Sequence, residues 1–203
     1  VREMLKKGII GGTFDPIHLG HMYIATKAQE HLALDKVIFM PGGMPPHKDD
    51  KDITSSSLRY EMVKAAIKGK SKLEISDYEI NKKGYSYTYE TMEYFKEKEK
   101  DTEWYFITGC DCLFTSDQWK NVDRIMKACK FVVFNRPGYS DQEIRKQKKA
   151  VEERYNTSII FLDFLLIEVS STYIRSAVRE GKDVSSLLPE GVNKIIQQQG
   201  LYL

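Results

Sequence analysis

Short runs rich in β-branched and aromatic residues alternate along this chain with segments of helical period, and no other feature narrows the architecture as much. Strand, helix and strand in succession mark a parallel sheet with right-handed crossover helices. The predicted strands are Lys7–Gly11, Lys36–Met40, Leu73–Asp77, Trp104–Gly109, Phe131–Asn135 and Ser158–Leu162, with Phe164–Glu168 a candidate continuation of the last. Predicted helices cover Leu19–Leu34, Thr88–Lys100, Val122–Cys129 and Asp141–Tyr155. Another carries Leu58, Met62, Ala65 and Ala66 on one apolar stripe, with Ser55–Ser57 placed to cap it. Beyond Val169 come two short helices, Ser171–Glu180 and Pro189–Gln199, with no strand between them. Val192, Ile195 and Ile196 give the last one an apolar edge and Gly200 a C-cap. The expected fold class is therefore α/β, a doubly wound parallel sheet over 1–169 with a small C-terminal helical cap, 170–203, packed on the same sheet.

With 203 residues, 41% of them hydrophobic and 30% charged, the chain can bury one core and carry a small lobe. Its longest apolar runs, such as Phe161–Val169, include Asp163 and Glu168 and fall short of the roughly 20 residues that span a bilayer. Val1–Lys7 is basic but is not followed by a secretory cleavage pattern, so the expected location is cytoplasmic, with no membrane partner. Cys110, Cys112 and Cys129 form an odd set without a C-x-x-C pair, which favours buried free thiols over disulfides or a zinc ribbon. A net charge of +2, and a basic run at Arg145–Lys149 flanked by acids, read as a solvated face and not as a nucleic-acid surface. Anion binding, if present, has to be local.

The chemistry concentrates at Gly11-Gly12-Thr13-Phe14-Asp15-Pro16-Ile17-His18-Leu19-Gly20-His21, between the first strand and the first helix. Adjacent glycines let a backbone approach an anion closely, and a helix start offers amides and the positive dipole end. His18 and His21, three apart, can face one ligand across a helical turn. Gly11 and Gly12 alone would suggest only a tight turn; with Asp-Pro and His-x-Gly-His they suggest a phosphate site. Zinc on the two histidines lacks evident third and fourth ligands. Far along the chain, Val169-Ser170-Ser171-Thr172-Tyr173-Ile174-Arg175 combines helix-capping hydroxyls with a planar cation, which suits either an ordinary N-cap or a second anion contact.

GGTFDPIHLGH resembles the signature of the nucleotidyltransferase superfamily with the T/HxGH motif, and VSSTYIR resembles its I-S-S-T-x-I-R motif, with Val169 for isoleucine. That resemblance implies a Rossmann-like sheet and transfer of a nucleoside monophosphate. It also implies ATP contacts from Gly11, Gly12, Thr13, Phe14, His18, Gly20, His21, Ser170, Ser171, Thr172, Ile174 and Arg175.

Intermediate segments are similar to bacterial nicotinate-nucleotide adenylyltransferases in particular. Pro45-Pro46-His47-Lys48 resembles a loop in which Lys48 carries charge to the phosphates; alternatively it is a basic loop without a role. Gly84-Tyr85-Ser86-Tyr87-Thr88-Tyr89 resembles the family's S-Y-T segment, with Thr88 a good helix cap. The resemblance assigns the pyridine carboxylate to the backbone near Thr88 and Tyr89 and to Trp119, which equally suits a core aromatic. Lys120 would offer its backbone amide. Gly109-Cys110-Asp111 resembles G-[AS]-D and places Gly109 and Asp111 at the mononucleotide, leaving open whether the Cys110 thiol tunes the pocket. Asn135-Arg136-Pro137-Gly138 resembles the R-P-G turn, with Arg136 a mononucleotide ligand or a surface arginine.

The implied reaction joins ATP to nicotinate mononucleotide, releasing nicotinate adenine dinucleotide and pyrophosphate in NAD biosynthesis. His18, His21, Lys48 and Arg175 would be catalytic, with Mg²⁺ carried mainly by the ATP phosphates. The glycine pair of the charged loop Gly42–Ile53 also suggests a mobile lid. Phosphopantetheine adenylyltransferase shares the first motif but fits the Thr88, Trp119 and Arg136 segments poorly. A non-catalytic nucleotide sensor would keep the pocket yet release no pyrophosphate. The sequence is compatible with a homo-oligomer.

Overall fold

The computed structural model describes residues 4–43, 53–164 and 167–203. Lys48, its loop 44–52 and residues 165–166 of the candidate strand continuation lie outside the described residues. Six strands, β1 (Leu5–Gly12), β2 (Lys36–Pro41), β3 (Leu73–Ile75), β4 (Thr102–Gly109), β5 (Lys130–Phe134) and β6 (Ile159–Leu162), form one sheet in the order β3-β2-β1-β4-β5-β6. This is the doubly wound order expected of a Rossmann-like chain, and β1–β4, β4–β5 and β5–β6 pair in parallel. The helices among the described residues are α1 (Leu19–His31), α2 (Ser56–Ala66), α3 (Tyr78–Asn81), α4 (Thr88–Lys98), α5 (Asp111–Phe114), α6 (Val122–Ala128), α7 (Asp141–Tyr155), α8 (Ser171–Arg179) and α9 (Glu190–Gln199). None is long and apolar enough to cross a membrane.

Two compact units divide the chain. Among the described residues one comprises 4–10, 28–37 and 87–164, the other 11–27, 38–43, 53–86 and 167–203. In the first unit, β5 runs Phe131-Val132-Val133-Phe134 after the exposed Lys130 and buries those four side chains, as a strand covered on both faces must. Its register sets Gly109 opposite Phe134, and Ile10 of β1 opposite Ile107 of β4. A Cβ at Gly8 would come within 2.8 Å of Ile107 Cδ1 and 2.9 Å of Leu34 Cδ1, so a larger residue there would have to push both side-chain ends aside. α7 begins in a capping box, where Ser140 and Glu143 satisfy each other's backbone amides, and ends at Asn156 in the left-handed region.

In the second unit, Ser55 Oγ accepts the Leu58 amide at 3.3 Å and starts α2, as expected. The buried stripe of α2 is Arg59, Met62, Val63 and Ala66; it keeps Met62 and Ala66 of the predicted stripe, with Arg59 and Val63 in place of Leu58 and Ala65. α9 packs on α2, with Gly191 against Ala65, and closes at Gly200 with φ 57°.

Other boundaries differ for local reasons. α1 stops at His31 and not at Leu34, because Ala33 takes φ 50° and the Leu34 amide turns back to the Gln29 carbonyl at 2.9 Å. Phe164, Ile167 and Glu168 do not extend β6; the Phe164 amide donates to Asn135 Oδ1 at 3.2 Å, which ends the ladder. The short α3 and α5 went unread because one helical turn is too brief to show a period.

Candidate active site

The expected ATP contacts all lie in the second unit. After Gly12 the chain carries Phe14 into the left-handed region at φ 51°, and the Phe14 ring is buried edge-on to Phe39 and His21. His18 is 6% exposed and its ring stacks on His21 with centroids 3.7 Å apart. Both rings are oriented through Nδ1. His18 Nδ1 accepts the Gly20 amide at 3.1 Å and the His21 amide at 3.4 Å, while His21 Nδ1 accepts the His18 amide at 3.2 Å. An accepting Nδ1 carries no hydrogen, so the neutral rings hold theirs on Nε2 as donors. The expectation that α1 offers its own first-turn amides needs correcting for Gly20 and His21. The His18 ring caps those amides, and the ring nitrogens become the donors.

Gly20 makes this possible. A Cβ there would come within 2.9 Å of both His18 Cε1 and Val169 Cγ1. Gly20→Ala is therefore expected to displace the His18 ring and lower turnover about tenfold, the scale of one weakened transition-state hydrogen bond. Steady-state kinetics on the folded variant checks this; unchanged turnover would mean the ring needs no such room.

The second signature closes on the first. Ser170 Oγ caps α8 by accepting the Tyr173 amide at 3.1 Å. Ser171 Oγ donates to the Pro16 carbonyl at 2.8 Å, and Arg175 Nη1 donates to the Asp15 carbonyl at 2.8 Å. Arg175 Nη2 also lies 3.4 Å from Thr172 Oγ1, and Ile174 is fully buried beneath the first turn. Segments about 155 residues apart thus share one wall.

Two residues that sequence reasoning passed over organise that wall. Arg59 is 1% exposed and donates to four carbonyls: Thr54 from Nε at 2.9 Å, Thr13 from Nη1 at 2.7 Å, and Gly42 and Gly43 from Nη2 at 2.8 and 3.1 Å. Burial lowers its pKa, opposed by the Asp15 carboxylate and Tyr202. The available signal was a charge set on the apolar stripe of α2. Tyr202, beyond α9, donates its hydroxyl to Asp15 Oδ1 at 2.6 Å, and Asp15 Oδ2 accepts the Thr54 amide at 3.1 Å.

The expected mononucleotide contacts among the described residues lie in the first unit. Thr88 is the first residue of α4 and not its cap; Tyr87 occupies the cap position and no side chain closes the turn. The Lys120 ammonium sits 4.3 Å from the Tyr87 ring centroid, and the Arg124 guanidinium 4.4 Å from that of the buried Tyr89. Trp119 packs inward, edge-on to Phe106 and Phe131 at 6.2 Å each, and borders an apolar cavity with Cys112 and Ile125. Arg136 Nε lies 3.1 Å from Asp111 Oδ1, an ion pair seated over Gly109, where a Cβ would meet either group at 2.3 Å. Cys110 is fully buried, and burial pushes its thiol up, as it does for Cys112 and, to about 12, for Cys129.

Residues 9–177 match the cytidylyltransferase-like family. A Clostridium kluyveri protein named "Probable nicotinate-nucleotide adenylyltransferase" is 54% identical over 202 residues, covering 98% of this chain and 100% of the relative. Its namesake in Clostridium novyi is 51% identical over 199 residues, with 98% and 100% covered. A solved structure of Plasmodium falciparum nicotinic acid mononucleotide adenylyltransferase complexed with NaAD superposes with a TM-score of 0.77 at 20% identity, covering 98% of this chain and 97% of that one, and so shares the fold. With both signatures fastened together in one unit and relatives of such identity along its whole length, the chain belongs to the nicotinate-nucleotide adenylyltransferases of the cytidylyltransferase-like family.

Proposed function

We propose that the protein transfers the adenylyl group of ATP to nicotinate mononucleotide, forming nicotinate adenine dinucleotide and pyrophosphate for NAD biosynthesis. One observation carries the reading: Ser171 and Arg175 bond to the Pro16 and Asp15 carbonyls, so both phosphate-binding signatures belong to one half-site. The names of the half-identical relatives supply the acceptor.

A phosphate oxygen of the mononucleotide attacks the α-phosphorus of ATP, the bond to the bridging oxygen breaks, and pyrophosphate leaves with that electron pair. The attacking phosphate is largely ionised near pH 7, its second pKa being about 6, so no general base is required. The chain's part is positioning and charge stabilisation. The Nε2 hydrogens of His18 and His21 donate to phosphate oxygens, and the guanidinium N–H groups of Arg175 not spent on Asp15 and Thr172 neutralise charge. Gly11, Gly12, Thr13, Phe14 and Gly20 shape the cradle around them. Lys48 completes the set in this proposal. Thr88, Tyr89, Gly109, Asp111, Trp119, Lys120 and Arg136 hold the mononucleotide.

Enzymes of this type use a divalent metal with the nucleoside triphosphate, and Mg²⁺ is the ion proposed here. Asp15, the buried carboxylate of the half-site, already accepts from Tyr202 and Thr54, and the remaining described donors suit phosphate oxygens. The ion would accordingly ride on the phosphates with few protein ligands, where it would offset charge on the α-phosphate and the departing pyrophosphate. Residues 170–203 act as the helical subdomain that brings the second signature. Free thiols at all three cysteines support a cytoplasmic setting.

The test is pyrophosphate release with ATP, Mg²⁺ and each of three acceptors: nicotinate mononucleotide, nicotinamide mononucleotide and phosphopantetheine. Nicotinate mononucleotide is expected to give the highest kcat/KM. Release that is fastest with phosphopantetheine, or nucleotide binding without any release, would refute the reading.

A further inference from the structure

Tyr202 belongs to neither signature. It follows the Gly200 cap of α9 and takes φ 67°. A residue with a Cβ is uncommon in that region and persists only where surrounding contacts hold it. Here the contact is the 2.6 Å bond from its hydroxyl to Asp15 Oδ1, across 187 positions of sequence. Burial, and then the bond to Asp15, pushes the phenol well above its ordinary pKa, so it donates at any working pH.

Asp15 is where the half-site is joined. Its carboxylate accepts the Tyr202 hydroxyl on one oxygen and the Thr54 amide on the other, and its main-chain carbonyl accepts Arg175 at 2.8 Å. The next carbonyl, of Pro16, accepts Ser171. Whatever fixes the Asp15 side chain therefore also fixes the peptide that anchors the guanidinium of the second signature. Without the Tyr202 hydroxyl, the carboxylate loses the shorter of these two hydrogen bonds and that peptide gains freedom.

We propose that Tyr202 is a positioning residue for ATP: its hydroxyl fixes Asp15, and Asp15 aims Arg175 at the triphosphate. The proposal rests on the adenylyl-transfer reading and adds to it a residue outside both motifs. It is tested on the full chain by titration calorimetry with ATP and Mg²⁺ alone, and separately with nicotinate mononucleotide alone, well below each variant's unfolding midpoint. Tyr202→Phe is expected to weaken ATP about tenfold, the scale of one hydrogen bond to a charged group. Nicotinate mononucleotide should stay within about twofold, because a loss confined to one ligand is not general loosening. In an Arg175→Ala background, Tyr202→Phe should change ATP affinity by less than about twofold, since its effect passes through that arginine.

Unchanged ATP affinity in Tyr202→Phe overturns the proposal. So does equal weakening of both ligands, or a full additive loss in the Arg175→Ala background. Wild-type protein that binds no ATP would bring down the adenylyl-transfer reading itself, a result separable from any of these.

Discussion

Replacing His21 with alanine is expected to lower turnover about a hundredfold while leaving the fold in place. One donor lost from a charge that develops in the transition state costs on the order of 3 kcal/mol, and each 1.4 kcal/mol is about a tenfold change in rate. The stability cost is smaller. The ring is only part-buried, and its removal deprives the His18 amide of an acceptor 3.2 Å away, worth about 1 kcal/mol. In a chain of this length that shifts the melting temperature by roughly 2–4 °C. Single-turnover kinetics with ATP and nicotinate mononucleotide, alongside a thermal melt, separate the two effects. A folded His21→Ala protein with wild-type turnover would remove His21 from the chemistry.

The second large effect is on stability. Arg59→Met would fill similar volume but leave the carbonyls of Thr13, Gly42, Gly43 and Thr54 without their donor at a site 1% exposed, and would strip the Asp15 carboxylate of a buried positive neighbour. Removing one member of a buried charge network costs roughly 3–5 kcal/mol, because the other groups stay desolvated. Urea unfolding of the wild type and variant, compared at equal m-value, measures this directly. A loss below about 1 kcal/mol would show that water reaches those carbonyls and that Arg59 is less deeply set than its contacts imply.

How far the residues foretold this structure depends on how local each cause is. α7 carries its own stop and start signals, the Ser140–Glu143 box and the left-handed Asn156, and its predicted and observed bounds coincide. The apolar run Phe131–Phe134 of β5 is likewise self-evident, since four buried aromatic and β-branched residues in succession suit a doubly covered strand. Both signatures were legible because each is contiguous. What was not legible depends on residues remote in sequence. Arg59 reads as a blemish on a helical stripe until the carbonyls of two loops converge on it, and the buried face of α2 then includes Arg59 and Val63 in place of Leu58 and Ala65. Thr88 has the right chemistry for a cap, but the extended backbone at Tyr87 takes the cap position, so Thr88 is the first residue of α4. Tyr202 gave no local sign at all, because its partner lies 187 positions away.

The latch between the signatures uses hydroxyl and guanidinium on one side and main-chain oxygens on the other. An acceptor built from peptide carbonyl is the same whatever side chain it bears. Drift at position 16 that kept the loop's path would leave Ser171 satisfied, and no compensating replacement would be needed at 171. Evolutionary pressure on this joint is thus one-sided, and pairwise covariation between Pro16 and Ser171 should be weak even though they touch.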